Sequence, residues 1–400
     1  MSRFRACVLL ASTLAVATLP QACGRVRATA DEAELAQQRK TRAVEFRSET
    51  KESFEGLLER MAKHAESGRP LDILVLSGGG DYGAFGAGVL NGWRSATGEF
   101  ALPEFDAISG VSAGALIAPF AFLGTAAAGP GVAATADDLG QLEALFRNPK
   151  PDWIRSRGVL GFLPDNESLA EIPGLERELR NALDADHIRR IAAEGVKGRR
   201  LYVNTTDLDL GAARPFEMTS AARLAIDTGE AGRFHNILLA SAGIPGAFPS
   251  REIDGALYVD GGVSSNIIYG AWNSRENSFP ALFRARYPKL PTPRIRYWVI
   301  VNNQVQTPAR TVQPGWISVV QRSVEVAIRA STVTSLRHLL SFAQTISLRG
   351  DADVEVRWIA IPEEWRPPVE GVFVKETMND LVDLGRRLGA DPSSWRRGDP

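Results

Sequence analysis

The sequence predicts an α/β fold built on a mainly parallel central sheet. Residues 71–77 form a continuous apolar run of strand length, as expected of a parallel strand that is buried on both faces. Residues 105–109 predict a second short strand, and an apolar helical pattern follows it up to Leu123. Because predicted strands and helices keep alternating towards the C-terminus, helices are expected to cover the sheet.

Composition supports one large folded unit and excludes some classes of function. Hydrophobic residues make up 44% of the 400 residues, which is enough for one large α/β domain with appendages. The 46 basic and 47 acidic residues nearly cancel, so no nucleic-acid partner is expected. No Cys/His spacing typical of zinc sites occurs, and we expect neither a metal ion nor a cofactor.

The first motif is a Gly-x-Ser-x-Gly sequence around Ser112, between a predicted strand and a predicted helix. This is the setting of a nucleophile elbow. A sharp turn that strains the serine backbone leaves no room for side chains at Gly110 and Gly114. The partial positive charge of the helix N-terminus then favours negative charge on an attacked carbonyl oxygen. The alternative is a tight turn whose serine caps the helix.

The second motif is the glycine triplet Gly78, Gly79 and Gly80, which directly follows the first predicted strand. Its backbone N–H groups can converge near the start of the next predicted helix, over residues 84–93, and create an anion site. The spacing is neither that of a dinucleotide fingerprint nor that of a Walker loop. With Ser112 nearby, an oxyanion hole is favoured over a phosphate site.

The third motif places a carboxylate at the end of a predicted strand. Residues 256–259 lead to Asp260, and Gly261 and Gly262 follow it. A serine hydroxyl is a poor nucleophile until a base takes its proton. Direct action of Asp260 on Ser112 is therefore the more economical hypothesis.

Histidine is the usual base and provides the other hypothesis. A triad in the order serine, aspartate, histidine would use His338, which lies in a long helical pattern over residues 316–348. A solvated helical position is the simpler interpretation of that residue. None of the four histidines stands in a turn or glycine-rich motif; they are His64, His187, His235 and His338.

In this order, the three motifs resemble those of the patatin-like phospholipase family. That family carries Gly-x-Ser-x-Gly, Asp-Gly-Gly/Ala and a Gly-Gly-Gly-x-x-Gly loop, and it uses a Ser-Asp dyad without histidine. The resemblance implies a three-layer α/β/α fold with Ser112 as the nucleophile and Asp260 as the base. It also implies an oxyanion hole formed by Gly78, Gly79 and Gly80. The glycines that resemble the rest of the motifs are Gly83, Gly110, Gly114, Gly261 and Gly262.

The resemblance covers about residues 71–268, and residues 203–211 and 244–249 also look like family strand and turn segments. One difference follows the glycine triplet. Where many members carry arginine, Asp81 and Tyr82 stand here. This difference leaves open whether the site prefers anionic head groups.

The resemblance implies a serine acyl hydrolase that cleaves carboxylic esters of phospholipids or other acyl lipids through an acyl-enzyme. An aspartate of ordinary pKa is a weak base, so we expect burial to raise the pKa of Asp260, or orientation to compensate. The expected partner is a lipid or other ester substrate. Two alternatives stay open: a catalytically silent lipid- or anion-binding lipoprotein, and an acyltransferase or non-lipid esterase that uses the same dyad.

Residues 1–23 predict a signal peptide for export. Arg3 and Arg5 precede an apolar stretch over residues 6–19, which is short for a membrane-spanning helix. A small residue before Cys23 and a glycine after it resemble a bacterial lipobox, which would attach the protein to the membrane surface through a lipid on Cys23. Cleavage near residues 15–17 and release into the periplasm is the alternative.

Three regions follow the signal peptide. Residues 24–70 predict a charged tether and then a short amphipathic helix, and residues 71–275 predict the catalytic core with an insertion over 124–200. Residues 276–400 predict an extension of the same sheet. The insertion forms either a lid or acyl-chain funnel, or a satellite core. Its large apolar residues are Phe146, Trp153, Ile154, Leu160, Phe162 and Leu163.

Overall fold

The computed structural model describes Arg27 and residues 29–126, 137–158, 166–270 and 278–400. The predicted signal peptide with Cys23 lies outside the described residues, as do Leu160, Phe162 and Leu163 of the insertion. No helix among the described residues is both long enough and apolar enough to cross a membrane.

Strands and helices alternate along most of the described chain. The described strands are β1 (Leu71–Leu76), β2 (Ala107–Val111), β3 (Arg155–Ser156), β4 (Ala170–Glu171), β5 (Arg200–Asp207), β6 (Ala212–Glu217), β7 (Arg251–Ile253), β8 (Ala256–Asp260), β9 (Ile295–Val301) and β10 (Val354–Ala360). The described helices are α1 (Glu32–Ser67), α2 (Gly83–Trp93), α3 (Ala113–Gly124), α4 (Asp138–Arg147), α5 (Pro173–Ala182), α6 (Ala185–Val196), α7 (Met218–Thr228), α8 (Gly232–Ser241), α9 (Phe279–Arg286), α10 (Trp316–Leu348) and α11 (Lys375–Ala390).

Eight of these strands form one sheet in the order β10-β9-β1-β2-β5-β8-β7, and β6 also pairs with β5. All pairings from β10 to β5 are parallel, whereas β6, β7 and β8 pair antiparallel. This confirms the predicted, mainly parallel sheet. The register sets Val111 beside Asn204 and Asp260 beside Thr205. The residue after β2, Ser112, and the last residue of β8, Asp260, therefore lie at the same edge of the sheet.

Helices cover both faces of the sheet and produce three layers. The alternation of side chains along β1 shows the two cores: Leu74 and Leu76 belong to one hydrophobic cluster, and Ile73 and Val75 belong to the other. The first cluster includes residues of α2 to α8 and α11, and the second includes residues of α1, α9 and α10. The three-layer α/β/α arrangement is therefore confirmed.

Helix α1 is much longer than the predicted short helix, and the predicted tether is wrong for most of its length. The helix begins at Glu32 because Asp31 and Glu34 form a capping box: each side chain accepts a hydrogen bond from the other's backbone N–H. Its charged first half is largely exposed, and its second half buries Leu57 and Met61. The solvated charges that indicated a tether are thus the outer surface of a helix.

The C-terminal region adds two strands to the same sheet, because β9 pairs with β1 and β10 pairs with β9. Helix α11 packs against α2 through glycines on both helices. A Cβ at Gly88 would lie 2.2 Å from the Val382 carbonyl oxygen, and one at Gly385 would lie 2.2 Å from the Phe85 carbonyl oxygen. Only glycine allows the two backbones to approach this closely.

Candidate active site

Ser112 occupies a strained turn between β2 and α3. Its backbone has φ 53° and ψ −124°, in a region that few residues other than glycine adopt. A Cβ at Gly110 would lie 2.3 Å from the Gly114 carbonyl oxygen, and one at Gly114 would lie 2.4 Å from the Leu76 carbonyl oxygen. The nucleophile elbow predicted from the sequence is present, and sterics explain both of its glycines.

The elbow is held by a serine that sequence reasoning missed. Ser241, the last residue of α8, accepts a hydrogen bond from the Ser112 backbone N–H at 2.9 Å. Its own hydroxyl donates to the Asn204 carbonyl oxygen at 2.6 Å. Ser241 thus ties the elbow to β5. The only signal for it in the sequence was its place just before the 244–249 segment.

Asp260 is 1% exposed at the end of β8. Its Oδ1 accepts a hydrogen bond from the Gly262 N–H at 2.7 Å, whereas Oδ2 has no partner at normal hydrogen-bond geometry among the described residues. Burial raises the pKa of Asp260 to about 6, although the nearby Ser112 hydroxyl and the Gly262 N–H oppose this rise. Asp260 is therefore a stronger base than an ordinary aspartate.

Ser112 and Asp260 line one cavity of about 640 Å³, here called the main cavity. The glycine triplet lines it as well, so the structure brings the three motifs together. None of the four histidines lines it. His338 instead pairs through Nδ1 with the Tyr269 hydroxyl on an exposed side of α10. The structure therefore does not bring His338 to Ser112.

The three backbone N–H groups of the glycine triplet differ in whether the protein itself supplies a hydrogen-bond acceptor. The Gly78 N–H donates to Asn266 Oδ1 at 3.1 Å, and Asn266 Nδ2 donates to the Thr332 hydroxyl at 2.6 Å. Within the described part of the chain, no partner is found for the Gly79 and Gly80 N–H groups. Of the three predicted oxyanion donors, Gly79 and Gly80 thus remain available.

Sequence reasoning also missed a further donor and the residue that fixes the loop. Ala113 begins α3, so its N–H has no acceptor within the helix. Asn302 donates from Nδ2 to the Ser77 carbonyl oxygen at 2.7 Å, and its own carbonyl oxygen would lie 2.0 Å from a Cβ at Gly79. A side chain at position 79 would therefore displace the loop.

The two residues after the glycine triplet have separate roles. The buried Asp81 carboxylate accepts the Phe373 N–H at 2.9 Å, and Tyr82 packs edge-on against Trp365 with ring centroids 5.3 Å apart. Two arginines from another part of the chain, Arg310 and Arg329, line the main cavity. The arginine that many patatin-like proteins carry in the loop is thus absent, but the cavity contains guanidinium groups.

Comparison with known proteins gives a family match. Residues 74–271 match the family model described as patatin-like phospholipase, and this segment holds the glycine triplet, Ser112 and Asp260. Among solved structures, the chain is similar to VipD from Legionella pneumophila at 12% sequence identity and a TM-score of 0.32. That alignment covers 82% of this chain and 68% of the VipD chain. Comparison with curated proteins found no match.

Proposed function

We propose that the chain, which belongs to the patatin-like phospholipase family over residues 74–271, is a lipid acyl hydrolase that works through a Ser-Asp dyad. One observation carries the proposal: Ser112 in its strained elbow shares a cavity with a buried aspartate whose pKa is about 6. A serine and a base at one site are the minimum for nucleophilic acyl transfer.

In the first step, Asp260 takes the proton of the Ser112 hydroxyl while the serine oxygen attacks the ester carbonyl. Negative charge develops on the carbonyl oxygen, and the N–H groups of Gly79, Gly80 and Ala113 are the available donors to it. Protonated Asp260 then gives its proton to the departing alcohol. An acyl group remains bonded to Ser112.

In the second step, a water molecule takes the place of the alcohol. Asp260 removes a proton from this water, which attacks the acyl carbonyl, and the same N–H groups stabilise the second oxyanion. The bond to Ser112 then breaks, protonated Asp260 returns its proton to the serine oxygen, and the carboxylic acid leaves. A base of pKa about 6 suits both steps near neutral pH, because it is ionised there and yet accepts a proton more readily than an ordinary aspartate.

Labelling with a fluorophosphonate probe tests the dyad directly, because the probe reacts only with an activated serine. We expect the wild-type protein to be labelled and both Ser112→Ala and Asp260→Asn to lose labelling. Ser168→Ala is the matched control, since Ser168 lines the same cavity but donates its hydroxyl to the Ala170 carbonyl oxygen. Folded wild-type protein that resists the probe would favour a silent binding protein instead.

We also propose, from the sequence alone, that the protein is exported and anchored to a membrane through Cys23. Metabolic labelling with a radioactive fatty acid tests this in a bacterial host. Label is expected on the wild-type protein and not on Cys23→Ser. An unlabelled wild-type protein with a new N-terminus near residues 15–17 would support periplasmic release.

A further inference from the structure

A second and smaller cavity opens at Ser112 on the side away from α10. It has a volume of about 70 Å³ and shares Gly80, Ser112, Ile244, Phe248 and Phe373 with the main cavity. We call it the small lobe. The two cavities thus meet at the serine that attacks the substrate.

The walls of the small lobe are almost entirely apolar. They come from α3, from α4, from α5 and from Trp153 in the insertion; the residues include Leu116, Leu142, Leu145, Phe146, Trp153 and Leu175. Among the described residues that line it, Glu178 is the one ionisable side chain, and its carboxylate is paired with Lys150. The small lobe therefore suits a ligand segment without polar atoms.

The main cavity differs in that its lining is mixed: apolar side chains of α10 line part of it, and charged and amide side chains line it as well. Among its liners, Arg310 contacts Glu325 Oε2 at 2.8 Å and Arg329 approaches Glu325 Oε1 at 3.4 Å. Arg322, which is not a liner, contacts Glu325 Oε2 at 3.0 Å. Three guanidinium groups thus share one carboxylate, and the Nε of the buried Arg329 has no hydrogen-bond partner among the described residues.

We propose that the small lobe binds the acyl chain of the substrate, and that the main cavity takes the alcohol portion. This inference rests on the proposed function, because the acyl chain is bonded to the carbonyl carbon that Ser112 attacks. At that carbon an ester joins an apolar acyl chain to an alcohol portion that carries polar atoms. The small lobe is almost entirely apolar, whereas the main cavity also offers charged and amide side chains to the alcohol portion. The insertion is then part of the acyl site, with Phe146 and Trp153 as its walls.

Two substitutions fill the small lobe from different helices. Leu145 on α4 and Leu175 on α5 both line the lobe and are partly buried, so Leu145→Trp and Leu175→Trp each have room to adjust outward. Val320→Trp is the matched control. Val320 lies on α10, lines only the main cavity and is 52% exposed.

The first experiment compares kcat/KM for p-nitrophenyl octanoate and p-nitrophenyl acetate, which differ only in the acyl chain. Each buried methylene favours the longer ester by up to about fourfold, so the wild-type protein is expected to prefer octanoate. Both lobe variants should lower the octanoate-to-acetate ratio at least about tenfold while acetate hydrolysis persists. Val320→Trp should leave the ratio unchanged. An unchanged ratio in both lobe variants, or a greater fall in Val320→Trp, would overturn the assignment.

The second experiment does not require catalysis. Calorimetric titration of Ser112→Ala with octanoate should show binding, and adding Leu145→Trp or Leu175→Trp should weaken it at least about tenfold. This result together with no ester hydrolysis by the wild-type protein would leave the lobe assignment standing and reject the proposed function. Octanoate that binds equally well to the filled and unfilled proteins, or to neither, would contradict the lobe assignment.

Discussion

Two buried aspartates at opposite edges of the sheet have opposite pKa shifts. Asp106 and Asp260 are each 1% exposed, and Asp106 directly precedes β2 whereas Asp260 ends β8. Burial alone would raise the pKa of Asp106, but partners outweigh it and hold that pKa below its usual value. Those partners are Arg60, His64 Nε2 at 2.8 Å and the Asp72 N–H at 2.8 Å. Burial raises the pKa of Asp260 because it outweighs the few groups that oppose it, the nearby Ser112 hydroxyl and one backbone N–H.

The difference separates a carboxylate that stabilises the fold from one that is available for chemistry. At Asp106 the hydrogen-bond and ion-pair partners compensate the buried charge, so the ionised carboxylate stabilises the native state. At Asp260 one carboxylate oxygen lacks a partner, and the ionised form costs stability. Such an uncompensated acid beside a strained serine is what a general base requires.

The largest effect is expected for Asp260→Asn. It removes the proposed base, so kcat/KM for p-nitrophenyl acetate should fall by about 10³-fold. Its free energy of unfolding near pH 8 should rise by up to about 3 kcal/mol, since a pKa of about 6 makes the ionised aspartate unfavourable. Urea unfolding measures this second change. A variant that keeps its activity would show that Asp260 is not the base.

Asp106→Asn should show the reverse behaviour. Removing Asp106 leaves the buried His64 without its carboxylate and leaves Arg60 with Glu104 alone, which is expected to cost about 3 kcal/mol of unfolding free energy. Activity per folded molecule should stay near the wild-type value, because Asp106 lies at the far edge of the sheet. Glu45→Gln, an exposed position on α1, is the control for a neutralised carboxylate. Equal stability of the two variants would contradict a compensated charge at Asp106.

The third effect is on pH dependence: activity should depend on Asp260, and the two aspartates should change the free energy of unfolding with opposite sign. Activity should rise about tenfold per pH unit up to pH about 6 and then level off, because the proposed base Asp260 can accept a proton only when ionised. The raised pKa of Asp260 in the folded state means that its contribution to stability is lost as pH rises through about 6. The lowered pKa of Asp106 means that its contribution is lost as pH falls below the usual range of an aspartate.

A pH profile of ester hydrolysis and urea unfolding at several pH values test these signs. The stability gained by Asp260→Asn over the wild-type protein should grow between about pH 4 and 7. The stability lost by Asp106→Asn should shrink below about pH 4. Activity that stays level down to pH about 4 would contradict the raised pKa of Asp260.

Local features of the site could be predicted from the sequence because their causes lie within a few residues. The elbow is a contiguous motif, and the need for glycine at positions 110 and 114 follows from the turn itself. The order of strands and helices also placed Ser112 and Asp260 at strand ends. The sequence did not determine whether the pKa of Asp260 is raised, because either burial or the orientation of the carboxylate could compensate for a weak base.

What the sequence did not reveal depends on long-range contacts. The Gly78 N–H and its acceptor Asn266 are 188 positions apart, and no local pattern joins them. For the insertion, hydrophobicity predicts burial equally well in a satellite core and in a wall of the acyl site. The small lobe beside Ser112, which Phe146 and Trp153 line, favours a wall of the acyl site. The length of α1 was missed because its charges on a solvated helix resemble those of a tether.

The smallest effect is expected at Asn266, which orders the glycine triplet without being the base or the nucleophile. Asn266→Ala frees the Gly78 N–H and removes the bond to Thr332, so kcat should fall about tenfold and stability by about 1 kcal/mol. Asn303→Ala is the control, since Asn303 lines the main cavity and its side-chain oxygen accepts from the neighbouring Gln304 N–H. If Gly78 contributed its N–H directly to the oxyanion, Asn266→Ala would instead raise kcat, because it releases that donor. The sign of the change therefore decides whether the oxyanion hole uses Gly79 and Gly80 or the whole triplet.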